Sequence, residues 1–520
     1  MQLDHRRSDT SRSGTRSGNR SPTALMALCA LTAIAVRTVS HPFVHLTATA
    51  AVITITTSAV IAAAVVGRPL NIRVNRWNAI PLLAVGPIGL SAWRSSPTNG
   101  DVDLYHHQAI SMQTVGDVPA GMANVHDRLG FISGIHPLGA IFEALAGSNG
   151  SRLATTAVAL LALSALGDSL RRIRCGTALD GDLARVAALC ILSAHALLEP
   201  SYWLSSPSPD LPFALTTVVA STAGLSVFGT SDAERESHVL IIYSALAIWL
   251  RPLGIVVVPI VILGLVRHRL VPPVRLCATI GVTLVIRFLF SIYTSGHLLF
   301  PIETPGWQPP WSVSAESMAA TSAVVRSWAR HPRVDPAVVL ADWEWIQWWW
   351  SHHGPRLWLL AAALLLSFLF IVIRSSRKTV FNDLVVLALL FGPIAGWFAS
   401  APDPRFALGY LVLPPCVAAS SAFRRLGPSP VRQRVVSLVV ATCASLVVAL
   451  PLLIAIIQRS PSSATNSAPE PPATAKPTVL VPVDGRCRRE LWCNPQEPVL
   501  ISTHSLGPLS YITTRHETRP

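Results

Sequence analysis

Charge is scarce in this chain. Asp, Glu, Lys and Arg make up 13% of its 520 residues, apolar side chains make up 51%, and the mean hydropathy is positive. This balance excludes an ordinary soluble enzyme and describes a polytopic membrane protein. Acids are scarcer than bases, 27 against 41, for a net charge of +14. The basic excess does not describe a nucleic-acid binder: the arginines fall in short clusters between apolar runs, not along one face with interleaved aromatics. Paired CxxC spacing is also missing. Six of the eight cysteines (Cys29, Cys175, Cys190, Cys277, Cys416, Cys443) lie in or beside apolar runs and read as inert small hydrophobes, not zinc ligands. No small-residue cleavage site follows the Arg- and Ser-rich residues 1–21, which read as an uncleaved cytoplasmic tail.

What the chain has is apolar runs. With roughly 20 residues needed to cross a bilayer, about eleven to thirteen spans fit, and the fold class expected is an all-α integral membrane protein. The runs lie near 24–39, 43–66, 79–94, 152–168, 182–198, 211–228, 239–250, 253–266, 274–294, 357–373, 379–400, 406–421 and 435–457. Short cytoplasmic loops hold the excess of Lys and Arg. With these spans, Arg68/Arg73/Arg76, Arg171/Arg172/Arg174, Arg267/Arg269/Arg275, Arg374/Arg377/Lys378 and Arg424/Arg425/Arg432/Arg434 all fall on the side of the N-terminal tail. The agreement requires a tight two-span hairpin around Arg251-Pro252. The expected organisation is a basic tail (1–21), a transmembrane domain (22–458) with large outer loops at 95–151 and 295–356, and an extracytoplasmic linker and small tail (459–520). In that tail a Pro/Ser/Ala/Thr-rich stretch to Pro477 is too poor in large apolar residues to pack. Strand-like runs follow from 479 to 511, and Cys487 with Cys493 are expected to close a small disulfide loop on an oxidising face.

The chemistry-bearing residues collect in the outer segments. Asp101-Val102-Asp103 puts two carboxylates just beyond an apolar run, and Tyr105, His106 and His107 follow at once. Carboxylates at i and i+2 can hold a divalent cation together with phosphate oxygens, or leave one of them free as a general base. Asp210, after Ser205-Ser206-Pro207-Ser208-Pro209, stands at a helix entrance, where it can cap the helix or contact substrate. In Ala401-Pro402-Asp403-Pro404-Arg405-Phe406, two prolines fix a corner, and Arg405 can grip a phosphate, snorkel to headgroups or pair with Asp403. Arg251 and Arg287 lie within apolar runs, where a charge must pair or line a cavity; Arg287 is the weaker candidate. The 295–356 loop carries eight tryptophans between Trp307 and Trp350, suited to anchoring at a membrane interface, stacking on sugars or gripping a polyprenyl chain.

Taken together, Asp103-Leu104-Tyr105-His106, the Ser205-to-Asp210 motif, Ser295-Gly296-His297-Leu298-Leu299-Phe300-Pro301, Ser327-Trp328-Ala329-Arg330 and Pro402-Asp403-Pro404-Arg405-Phe406 give the chain a resemblance to the GT-C superfamily. These are polytopic glycosyltransferases that use polyprenyl-phosphate sugars. The resemblance implies transfer of a sugar, at the outer face of the cell membrane, to a glycan, lipid or protein acceptor of the cell envelope. It implies an acidic general base in the first large outer loop, which maps to Asp103 with Asp101 in support. Substrate contacts would come from Tyr105, His106, His107, Asp210, Arg251, Asp403 and Arg405. No cofactor is required, although Asp101 and Asp103 would be the ligands of a divalent cation if one takes part. The chain departs from the pattern in having extra spans before the acidic loop and a cysteine-bearing tail. The alternative is a transporter or lipid flippase, but no repeated halves with interrupted helices are evident.

Overall fold

The computed structural model describes residues 22–41, 44–66, 88–116, 118–179, 181–229, 233–374, 380–425, 501–506 and 509–514. Helices dominate. α1 (Pro22–Ser40) and α2 (Ala48–Val66) pack together and are followed by the acidic outer loop, which carries α3 (His107–Thr114) and α4 (Ile135–Ala146). Next come α5 (Leu153–Arg174), α6 (Asp182–Leu198), α7 (Asp210–Gly229) and α8 (Ala233–Leu250), then α9 (Val258–Arg267) and α10 (Val274–Ser295). The second large loop holds α11 (Ala315–Arg330) and leads into α12 (Trp345–Arg374), α13 (Val380–Ser400) and α14 (Pro404–Arg425). Two antiparallel strands, β1 (Ile501–Leu506) and β2 (Leu509–Thr514), close the described chain in register from Ile501↔Thr514 to Leu506↔Leu509. The expected strand region thus extends to Thr514.

Six described helices are long and apolar enough to cross a membrane: Thr23–Ser40, Ala48–Val65, Gly150–Arg174, Asp210–Phe228, Val274–Ser295 and Pro404–Phe423. The pair Trp345–Gly354 and Leu357–Ile373, bent by 100°, makes up to seven. This is fewer than the eleven to thirteen expected. The 435–457 run and most of 79–94 lie outside the described residues, as do residues 1–21, Cys487 and Cys493. Others of the expected runs are helical but short, such as Pro252–Arg267 and Leu384–Ser400. α10 shows how a spanning helix divides its surface: Val274, Val282, Val285 and Leu289 are exposed, while Leu276, Ile280, Thr283, Arg287 and Phe290 face inward. Proline inside α13 (Pro393) and α14 (Pro414, Pro415) is accommodated because neighbouring helices can satisfy the freed carbonyls.

The chain folds back at Arg251-Pro252 as expected, although neither arm is among the described helices long and apolar enough to cross a membrane. Arg251 is extended, and Pro252–Val257 forms a tight turn. Gly254 packs so closely that a Cβ there would lie 2.5 Å from Ala247 C and Ile248 N. α9 then runs back along α7: Ile260 meets Gly224, Gly264 meets Val227, and the His268 ring faces Phe228 with centroids 6.4 Å apart. This return sets the direction of everything downstream.

At the end of the bundle where α5 finishes and α6 begins, three arginines and three acids neutralise one another in the interior. Arg172 Nε donates to Asp182 Oδ2 at 2.8 Å and Arg172 Nη1 lies 3.3 Å from Glu236. Arg185 Nη2 donates to Glu236 at 2.8 Å, and Arg235 lies 3.6 Å from Asp168, which also accepts from Thr23 Oγ1 at 3.0 Å. Ser169 and Thr222 complete the shell. The network ties α1, α5, α6, α7 and α8 together. Removing one member strands a buried opposite charge, which costs about 3–5 kcal/mol. Arg185→Ala is therefore expected to lower the unfolding midpoint of the purified protein sharply, while Arg174→Ala at an exposed position changes stability by no more than about 0.5 kcal/mol, as thermal unfolding in detergent will measure.

Candidate functional site

The opposite end of the bundle carries a second group of charges, assembled from four distant segments. Asn99 starts it: its Oδ1 accepts from the Asp101 N–H at 3.0 Å and its carbonyl accepts from the Val102 N–H at 3.1 Å, turning the chain into the helix that follows. The first turn of that helix is wide, with the His107 N–H donating to the Val102 carbonyl five residues back. Such wide turns are rare and recur at functional sites. Here the turn separates the two carboxylates. Asp101 Oδ2 accepts from Arg405 Nη1 at 3.2 Å, while Asp103 Oδ1 meets His107 Nδ1 at 3.2 Å on the same helix.

Arg405 is held from two sides. Asp403 binds it through a 3.0 Å contact from the Arg405 N–H and a 2.9 Å contact from Nε, so the proline-fixed corner clamps its own arginine. Trp349 Nε1 donates to the Pro402 carbonyl and Trp397 Nε1 to the Asp403 carbonyl, both at 2.7 Å, anchoring the corner in an aromatic layer. The outward Nη1 is then shared between Asp101 and the Tyr202 hydroxyl, which lies at 3.1 Å. Tyr202 sits on the short turn before Asp210, and the 99–101 segment is tied to that turn by the Thr98 N–H donating to Ser201 O at 3.1 Å.

Asp210 does not use its carboxylate to cap α7. Its Oδ1 instead pairs with Arg251 Nη2, while Oδ2 is buried with no hydrogen-bond partner among the described residues. The Arg251 guanidinium lies over the Phe406 ring, 4.4 Å from its centroid, and its Nε has no partner either. Phe406 therefore lies beside both arginines, since Arg405 is 5.5 Å from the same ring. Tyr105 stands among these groups. Burial raises its phenol above the ordinary range, and the Asp101 carboxylate adds to the rise, while Arg128, Arg251 and Arg405 oppose it. The cluster thus contains two guanidiniums and three carboxylates, and two buried polar atoms in it are without partners.

Of the residues singled out from sequence, Asp101, Tyr105, Asp210, Arg251, Asp403 and Arg405 come together. Asp103 and His107 form their own pair apart from these. His106 turns inward, its Nδ1 3.0 Å from His136 Nε2. Arg287 is buried on α10, donating from Nε to Ile248 O at 3.1 Å. The motifs at 295–301 and 327–330 have structural roles: His297 Nε2 meets Val313 O at 2.8 Å, and Arg330 donates to Ala399 O at 3.0 Å while lying over Trp345. Sequence reasoning missed Tyr202, His136 and the buried pair of His126 with Gln108, 3.0 Å apart. For His126 and His136 the only signal was the run of polar residues in 122–136, and Tyr202 had none. Among the described residues no three His, Cys, Asp or Glu side chains gather as a metal site, and Asp101 and Asp103 point to different partners.

A family described as a domain of unknown function, DUF8201, matches residues 15–412. The chain belongs to that family. All six converging residues fall inside the DUF8201 region, and the C-terminal hairpin falls beyond it. No curated protein matches the chain. Among solved structures, an Archaeoglobus fulgidus oligosaccharyltransferase in its apo form is similar, with 14% identity and a TM-score of 0.38. The match covers 76% of this chain and 57% of that one, so the chain spans less than two thirds of that protein's length.

The buried histidines give the site a pH limit. Burial lowers His126 to about 4 from an ordinary 6.5, with Asp127 opposing and Arg128 adding. Burial and the neighbouring His136 likewise hold His106 well below its ordinary value. The unfolded chain therefore binds protons first as the pH falls below 6.5, and stability is lost between there and pH 4. From His126 alone the loss at pH 5 is about 2 kcal/mol. The unfolding midpoint in detergent is expected to drop between pH 7.5 and pH 5, and to drop less in His126→Gln.

Proposed function

We propose that this protein is a membrane glycosyltransferase that moves a sugar from a polyprenyl-phosphate donor to a hydroxyl of a cell-envelope acceptor, on the extracytoplasmic face. The observation that carries the reading is the Arg405 guanidinium held between Asp101, Asp403 and Tyr202 at the end of a helical bundle, with Arg251 on the other side of Phe406. Its sequence support is the resemblance of the outer-loop motifs to the GT-C pattern.

Transfer of a glycosyl group from a lipid phosphate asks for a base near the acceptor and for cations near the departing phosphate. Asp101 takes the first role in place of the Asp103 expected from sequence, because Asp101 reaches Arg405 while Asp103 pairs with His107. Arg405 takes the second, because its planar donors match phosphate oxygens. Donor binding gives Arg405 a phosphate partner in place of Asp101, and the freed carboxylate accepts the proton of the acceptor hydroxyl. The acceptor oxygen bonds to the anomeric carbon as the bond from that carbon to the phosphate oxygen breaks. The polyprenyl phosphate leaves with its electron pair, and the anomeric configuration inverts. Arg251 offers its unpartnered Nε to the same anion, and Asp210 holds it in place. Asp103, half-exposed on the same helix as Asp101, stands with His107 where an acceptor would approach.

Asp101→Asn is expected to lower turnover of a polyprenyl-phosphate sugar about 10²- to 10⁴-fold. Asp103→Asn should lower it by no more than about tenfold, one hydrogen bond's worth. A panel of such donors with purified protein is the assay, and wild-type turnover by Asp101→Asn would remove that residue as the base. A cysteine at position 103 is expected to react with an impermeant reagent added outside the cell; reaction from the inside only would overturn the outer-face placement.

A further inference from the structure

The C-terminal hairpin lies beyond the family region, yet it is built into the acidic outer loop. The Ile512 N–H donates to the Ala120 carbonyl at 2.9 Å, and Asn124 Nδ2 donates to the Ile512 carbonyl at 3.1 Å, a contact between residues 388 apart. The same Asn124 amide reaches Trp311 O at 2.9 Å, so one side chain joins both outer loops to the tail. The Ile512 side chain is fully buried in a cluster with Met112, Met122, Val125, Leu129 and Phe290. The seat is shaped for a strand. Gly121 has a φ of +83°, and a Cβ there would stand 2.6 Å from the Ile512 carbonyl oxygen and 2.9 Å from Trp311 Cβ.

Two dependencies follow from elementary energetics. An isolated two-stranded hairpin is marginal in water, so β1 and β2 need their docking to hold their form. The loop at 118–132 has only short helical turns of its own, and Ile512 is part of the apolar cluster beneath it. That loop reaches the candidate site in two steps. His126 binds Gln108, and Gln108 stands on the helix whose first residues are Asp101 and Asp103. Met112, in direct contact with the cluster, lies on the same helix.

We propose that the C-terminal hairpin is a positioning strap: Ile512, seated on Gly121 and Asn124, orders the 118–132 loop and through it the helix that presents Asp101. The structural half of this statement stands on the docking contacts alone. Its catalytic half, that transfer depends on the seated tail, rests on the glycosyltransferase reading.

The test is hydrogen–deuterium exchange on the full chain in lipid nanodiscs, comparing wild type with Ile512→Asp and Ile512→Val, alongside turnover with the donor panel. In Ile512→Asp, exchange across 105–132 is expected to rise at least about tenfold while α7 stays protected, as for local opening of one unit. Ile512→Val should match wild type, and a synthetic peptide of residues 499–516 should restore protection to the Asp variant. Turnover should fall in kcat more than in KM and return with the peptide. Unchanged exchange in Ile512→Asp overturns the strap. Should that variant fail to fold, Gly121→Ala, which drives a Cβ onto the Ile512 carbonyl, is judged by the same exchange. If the loop opens but wild type turns over no donor, the strap stands and the transferase reading falls. If the loop opens and turnover is unaffected, the catalytic half is overturned.

Discussion

A cation removed from water must find polar partners, and where those partners are carboxylates the resulting networks organise both ends of this molecule. In a bundle whose outer surface is apolar, Arg172 and Arg185 are buried against Asp182 and Glu236 at one end, and Arg251 and Arg405 against Asp210, Asp403 and Asp101 at the other. The first group is closed: its charges balance, and it joins helices into a fixed frame. The second is open. It sits where loops meet, and Asp101, Arg251 and Arg405 in it are partly exposed, whereas Arg172, Arg185, Asp182 and Glu236 are buried. A closed network stabilises, whereas an open one has capacity left for a ligand.

The chain's fold-back at Arg251 makes the open cluster possible. If α8 and α9 were one continuous helix, Arg251 would lie mid-span and the later helices would run the other way, leaving Arg405 at the far end from Asp101. The break uses proline for the turn and glycine for the close approach to Ala247. An energetically awkward charge within an apolar run is thereby converted into a residue at the rim.

Much of this was legible from the sequence, for identifiable reasons. Apolar runs reported α5, α7, α10 and α14, because burial in lipid or in the bundle demands the same composition along the whole run. Arginine placement reported the fold-back, because only one arrangement keeps the basic clusters together. What could not be read was which way a side chain turns. Arg172 stood in an apparently superficial basic cluster, yet it faces inward while Arg174 does not. Of the two acids in Asp101-Val102-Asp103 the sequence favoured Asp103, because the residue that draws Asp101 into the cluster, Arg405, is 304 positions away. Ile512 lay one residue beyond the expected strand-like stretch, and nothing local announces that its seat lies on Gly121. Partners distant in sequence decide each of these cases.

The wide turn at Val102–His106 has a consequence for how the site tolerates change in length. An ordinary α-helix advances about 100° per residue, and the wide turn accommodates one residue more than an α-helical turn before the hydrogen-bond ladder resumes. Losing a single residue there would tighten the turn while α3, packed through Ala109 and Met112, stayed where it is. Asp101 would then keep its direction toward Arg405 and Tyr202, because the tightened turn covers the same rotation with one residue fewer. The wide turn works as a buffer of length, holding the angle between a helix that packs and a carboxylate that reaches out from it.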